Sequence, residues 1–375
     1  MFDWKITSLT LAVFIATAMP TFSMEPVSIA TGSAMSTPKQ PQAAIDSDGT
    51  VHLIFGDGDT VKYCHSSDGG KSFSVPNAAF EVPNMSLGMR RGPRIALCSG
   101  TITVSAIGGA QGKGRDGDIQ AWNSKDGGKS WAGPFLVNDQ TGSAREGLHA
   151  MCSGEDGTLW CVWLDLRNKR TEIFASNSSD AGTTWQPNQL VYRSPDRNVC
   201  ECCHPSVAVC GNQVTVMFRN SLNGNRDMYL TTSTDGGATF PNAEKLGNGE
   251  WKLNACPMDG GMVALDVDKN PLTVWTRKGS VFMTNQQTAE EQLLGRGGQP
   301  WVASTKKGPV AVWTNPNERS LYLQLPKSDE PSKMVASAID PMVISNRSGD
   351  GPAFVFWETK IDGINAIQGL PLDLK

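Results

Sequence analysis

Apolar residues along the chain come in short runs broken at nearly regular intervals by glycine and aspartate. The stretch "PQAAIDSDGTVHLIFGDGDTVKYCHSSDGGKSF", residues 41 to 73, shows the syntax. A short apolar run, a Gly turn, an alternating run, a polar loop and a third alternating run lead into a polar, glycine-rich turn, which predicts three antiparallel strands. No segment holds a 3.6-residue apolar period long enough for a core helix. Comparable units begin near Arg91, Glu146, Cys203 and Cys256. Two more, "GQPWVASTKKGPVAVWTNPNERSLYLQL" and "DPMVISNRSGDGPAFVFWETKIDGINAIQGL", keep the strands but lose the closing turn. The last unit stops before a fourth strand, and "EPVSIATGS" at 25 to 33 is a strand-like piece without a unit of its own.

The closing turns repeat in sequence: "SSDGGKSF" at 66 to 73, "SKDGGKSW" at 124 to 131, "SSDAGTTW" at 178 to 185 and "STDGGATF" at 233 to 240. Their first serines lie 58, 54 and 55 residues apart, a spacing that marks a repeat architecture. Ser and Asp side chains can bond the backbone of such a turn, Gly supplies positive φ, and the final aromatic packs between sheets, so one Asp per repeat reads as structural. The expected fold is an all-β, single β-propeller of seven four-stranded blades, with six as the alternative. The N-terminal strand would complete the seventh blade and close the ring.

The repeated turn closely resembles the Asp box, or BNR repeat, of the sialidase superfamily, and the resemblance covers nearly the whole chain beyond the leader. It implies a propeller with its site at the mouth of the central channel. Sialidases have six blades, whereas seven units are counted here.

The N-terminal segment, one lysine followed by "ITSLTLAVFIATAMPTFS", has the features of a signal peptide cleaved near Ser23. The propeller domain would then span 24 to 375, in an extracytoplasmic compartment, periplasmic or secreted, where disulfides are permitted. No later run reaches the ~20 apolar residues of a membrane span. A formal charge of -4 argues against nucleic acid as partner, leaving a small molecule, glycan or metal.

A sialidase needs three arginines for the substrate carboxylate, a Tyr activated by Glu, and an Asp acid/base. The resemblance places Arg91 ("RRGPRI"), Arg219 ("VMFRN") and Arg277 ("VWTRK") as the arginines, with Asp116 or Asp118 ("GRDGDI") as the acid. Two departures count against activity. The Glu-Pro-Ser of the family reads His204-Pro205-Ser206, and none of the tyrosines Tyr63, Tyr192, Tyr229 and Tyr322 falls in a loop expected at the channel. The catalytic residues are therefore expected to be partly replaced. The alternative is an exo-glycosidase acting on acidic glycans, and a further one is a purely structural, surface-binding propeller.

The stretch "NVCECCHPS" at 198 to 206 concentrates three of the nine cysteines beside a histidine where the fourth unit enters the channel. Matching "SVAVCGNQVTVMFRN" to "MVALDVDKNPLTVWTRK" puts Cys200 in register with Cys256. Three chemistries fit. One is a disulfide from the cluster to Cys256, closing a loop of about 55 residues and stabilising by ~3 to 4 kcal/mol. The second is a metal site drawn from Cys200, Cys202, Cys203, His204, Cys256, Met258 and His149, whose soft and borderline donors favour copper or zinc. The third is c-type haem, since residues 200 to 204 satisfy C-x-x-C-H. The expected function is ligand or metal binding at the channel mouth.

Overall fold

The computed structural model describes residues 25–33, 36–285, 290–335, 337–346 and 348–374. The segment expected to be a signal peptide, with its expected cleavage position near Ser23, lies outside the described residues. Strand β1 (Val27–Thr31) stands first in the chain but last in the ring. Blade one holds β2 to β5 (Lys39–Ile45, Val51–Asp57, Thr60–Ser66, Asn77–Glu81) and blade two β6 to β9 (Arg94–Cys98, Thr101–Gly108, Asp118–Ser124, Ala132–Leu136). Blade three holds β10 to β13 (His149–Ser153, Leu159–Asp165, Glu172–Ser178, Gln189–Tyr192) and blade four β14 to β17 (Ser206–Cys210, Gln213–Arg219, Met228–Ser233, Glu244–Lys245). Blade five holds β18 to β21 (Met262–Leu265, Pro271–Arg277, Ser280–Asn285, Glu291–Arg296) and blade six β22 to β25 (Gly298–Thr305, Gly308–Asn315, Ser320–Gln324, Ser332–Val335). In blade seven, β26 to β28 (Ile339–Ser345, Ala353–Ile361, Ile364–Leu372) are completed by β1, which pairs antiparallel with β28.

The protein is thus an all-β propeller of seven four-stranded antiparallel blades, and the count of seven holds over six. First strands of successive blades touch around the ring, and β26 meets β2, so the circle closes. Second strands are covered on both faces by neighbouring blades, which is why "LWCVWLD" of β11 is buried throughout. Among the described residues, no helix is long and apolar enough to cross a membrane.

The Asp boxes join third to fourth strands, on the edge opposite the one where the inner strands begin. Asp68 accepts from the amides of Lys71 and Ser72 and from the Ser66 hydroxyl, while Ser66 Oγ accepts from Gly70 N at 3.0 Å. The same bonds recur around Asp126, and around Asp235 those of the serine, the glycine and the second amide recur. These carboxylates are structural, and their hydrogen bonds hold Asp68 and Asp126 well below the usual carboxylate range. The box glycine then abuts the preceding blade: a Cβ on Gly128 would lie 2.2 Å from the Tyr63 ring, and one on Gly237 2.1 Å from Trp160. The aromatic closing the box docks there too, as Phe73 on Phe356 and Trp131 on Tyr63. Each box is therefore a staple between blades.

Candidate metal centre at the channel mouth

Inner strands begin around the channel mouth, and several enter through a residue followed by proline. Gln40, Gln299 and Asp340 adopt φ of 55°, 56° and 47° before Pro41, Pro300 and Pro341, and the strand register shifts at each. That bulge turns a polar side chain inward. Gln299 donates to Asp340 Oδ1 (2.6 Å) and its amide to Asp259 Oδ2 (2.8 Å), and Gln40 donates to Asp340 and to Glu358 Oε1 (3.1 Å). Arg90 reaches Asp340, Nε to Oδ1 3.2 Å, with its guanidinium over the Trp301 ring. Burial lifts the Glu358 carboxyl to about 7, with the Asp340 charge adding to the effect. The axis is a packed polar ring from blades one, two, five, six and seven.

Blade four contributes the cysteine loop to this rim. Its backbone is tied at both sides, Val199 N to Thr171 O of blade three (3.0 Å) and Cys200 N to Arg219 O at the end of β15 (2.9 Å). The loop turns the three sulfurs toward one another. Sγ of Cys200 lies 3.7 Å from that of Cys202 and 3.5 Å from that of Cys203, and the remaining edge is 4.0 Å. All three residues are buried and form a small cluster of their own. The charges of Arg226 and Arg219 both act on Cys200. Hydrogen bonding with Cys202 and then with Cys203, followed by these arginines, pulls Cys200 well below the usual thiol range; the same hydrogen bonding pushes the Cys202 thiol up, and Cys203 is raised chiefly by burial.

The other residues expected at this site lie elsewhere. Cys256 is exposed and its sulfur does not join the buried group, and no disulfide links it to Cys200, Cys202 or Cys203. Matching strand register did not bring Cys200 and Cys256 together, because Cys256 precedes β18 in a loop that leaves it exposed while turning Asp259, three residues on, inward. Met258, in the same loop, is 37% exposed with φ of 55°. His204 is buried at the axis against Gly260, with neither ring nitrogen hydrogen-bonded, and the nearby Arg90, Arg94 and Arg219 reinforce burial in keeping it neutral. His149 bonds Ser105 Oγ at 2.9 Å.

The sialidase-like set is equally dispersed. Arg219 is buried and spends its guanidinium on the carbonyls of Arg226, Asp259 and Thr276. Arg277 turns outward to Glu291 of β21 and lies over Phe282, while Arg91 donates to Glu146 O at 2.7 Å. Asp116 caps the amides of Gln111 and Gly112, and Asp118 accepts from Asn138 and from Gly142 N, so both have structural employment. Tyr63, Tyr229 and Tyr322 sit in third strands and Tyr192 in the fourth strand β13, all away from the axis.

Beside the cysteine loop on the same face lies a cleft of about 480 Å³ whose lining includes Arg145, Glu146, Lys169, Arg170, Asn198 and Glu201. Burial and the charge of Glu201 raise the Glu146 carboxyl, against the opposing pull of Arg91. Sequence reasoning did not single out Arg226, Gln40, Gln299, Asp340 or Glu358. A repeated polar-residue-plus-proline at strand entry was the available signal for Gln40, Gln299 and Asp340; Arg226 carried none.

Residues 107–292 match the family model described as BNR repeat-like domain. Among curated proteins no match was found. The fold is similar to that of a protein of unknown function from Dyadobacter fermentans (16% identity, 93% of this chain and 98% of that one, TM-score 0.54). It is also similar to the GH93 alpha-L-arabinofuranosidase of Fusarium graminearum in complex with arabinobiose (14%, 94% and 98%, 0.53) and to the NanB sialidase of Streptococcus pneumoniae (10%, 95% and 71%, 0.56). Seven blades, four Asp boxes and the repeat model matched over residues 107–292 together make this chain a β-propeller with BNR repeats, the fold that it shares with sialidases.

Proposed function

We propose that this is an extracytoplasmic sialidase-like propeller that binds a soft or borderline metal ion, copper or zinc, through Cys200, Cys202 and Cys203, and that it is not an active sialidase. The observation that carries the reading is the sulfur triangle, with edges of 3.5, 3.7 and 4.0 Å. Three thiolates on a tetrahedral ion with metal–sulfur bonds of ~2.3 Å stand about 3.8 Å apart. Buried cysteines used only for packing have no reason to aim three sulfurs at one point, and the adjacent guanidinia favour the deprotonated form that a metal needs. Elemental analysis of protein purified with its leader processed is expected to give one metal ion per chain, lost in the Cys203→Ser variant. Absence of metal together with a Cys200–Cys203 disulfide in mass spectrometry would refute the reading. A fluorogenic sialoside is expected to show no turnover, since Arg219, Arg277, Asp116 and Asp118 are all engaged in structural contacts.

A second reading, glycan binding, draws on the polar cleft beside the loop and on fold relatives whose names specify arabinobiose or an ulvan lyase substrate. Calorimetry with neutral and acidic oligosaccharides tests it. Binding lost in Arg145→Ala would support the cleft, and no heat with either class would reject it.

A further inference from the structure

The sulfur triangle lacks a fourth corner. Among the described residues, no other Cys, His, Asp or Glu presents a ligand atom within 4.8 Å of all three sulfurs. A structural zinc ion takes four ligands, and a catalytic one fills its fourth position with water or substrate. Here neither supply is at hand, because Cys200 is 0%, Cys202 8% and Cys203 2% exposed. Monovalent ions of the copper group select thiolates and are content with two or three of them in a plane. Three sulfurs 3.5 to 4.0 Å apart suit that arrangement without a further donor.

Charge points the same way. Three thiolates around a divalent ion carry a net charge of -1, and around a monovalent ion -2. Two arginines adjoin the cluster: Cys200 N donates to Arg219 O at 2.9 Å, the buried Arg219 guanidinium donates to Arg226 O at 2.6 Å, and Arg226 reaches Glu201, between Cys200 and Cys202. Glu201 draws partly on Arg226 at 3.4 Å, but from the solvent side. Both guanidinia favour negative charge at the cluster, and the more negative complex gains more from them.

We infer that the Cys200, Cys202 and Cys203 cluster takes a monovalent copper-group ion, copper(I) or silver(I), in a three-thiolate set whose negative charge is balanced by Arg226 and Arg219. The inference rests on the proposed metal role of these cysteines and adds the class of ion and the residues that select it. Arg226 is a positioning residue that acts through the sulfur, not a ligand.

Anaerobic titration of the full chain with copper(I), in competition with a chromophoric copper(I) chelator, tests this directly, with zinc measured against a zinc-sensitive dye. Expected are one copper(I) per chain, X-ray absorption showing sulfur scatterers only, and affinity at least a thousandfold above that for zinc. Arg226→Gln is expected to weaken copper(I) by about tenfold while leaving the circular dichroism unchanged, and Arg226→Lys to recover part of it. Cys202→Ser, at the most accessible of the three positions, serves beside Cys203→Ser should the latter not fold. Zinc binding as tight as copper(I), or a fourth light-atom ligand, overturns this inference while leaving the metal reading intact. Binding of neither ion overturns both.

Discussion

Gly128 has φ of 83°, and its missing Cβ is where the Tyr63 ring of the preceding blade sits. Gly128→Ala combines positive-φ strain with a steric clash and is expected to cost about 2–4 kcal/mol in urea unfolding. Gly127, with φ of 71° but open space around it, should cost less when changed to Ala, a comparison that separates strain from packing. The cysteine cluster was legible because its members are adjacent in sequence, so one tight loop suffices to bring them together. Cys256 was misplaced, since strand register gives height along the blade but not the direction of a side chain in a loop. Arg219 and Arg277 end equivalent strands and show the same limit: one is drawn inward onto carbonyls, the other outward by Glu291.

Among elements, β1 has the largest consequence for its size. It joins the first strand of the chain to β28 near its end, converting an open stack of blades into a ring. Removal of residues 25 to 31 should leave β28 as an unpaired edge, lower the melting temperature and promote association, read by calorimetry and size-exclusion chromatography. This closure was visible in the sequence as a strand without a unit beside a unit without a strand. Outermost strands were harder to read, because they bury little: β17 is the two residues Glu244–Lys245, both exposed. Second strands such as β11 were plain, since coverage on both faces demands a continuous apolar run.

For the whole molecule, the packed polar axis sets the response to pH. His149 is buried and kept neutral, its pKa depressed by burial and then by Arg94. The unfolded chain takes up that proton below about 6.5 and the folded one does not, so this residue makes stability fall as the medium is acidified. Glu358 does the opposite: its carboxyl is raised to about 7 from 4.5, so the unfolded chain releases a proton first and stability falls as pH rises between those values. Glu358→Gln should remove the second slope, and unfolding midpoints from pH 4.5 to 7.5 should then rise more steeply with pH than in the parent. An unchanged profile would contradict the burial-driven shift.

Repetition let the sequence alone count seven units, with six left open, and read the Asp boxes as structural, and adjacency in the chain put Cys200, Cys202 and Cys203 into one loop, because each depends on residues close together in the chain. Which arginines, carboxylates and sulfurs share a site was decided only by the tertiary structure. Those contacts join blades some 40 to 300 residues apart, and a bulge or a competing partner such as Glu291 redirects a side chain without altering the strand pattern that carries it.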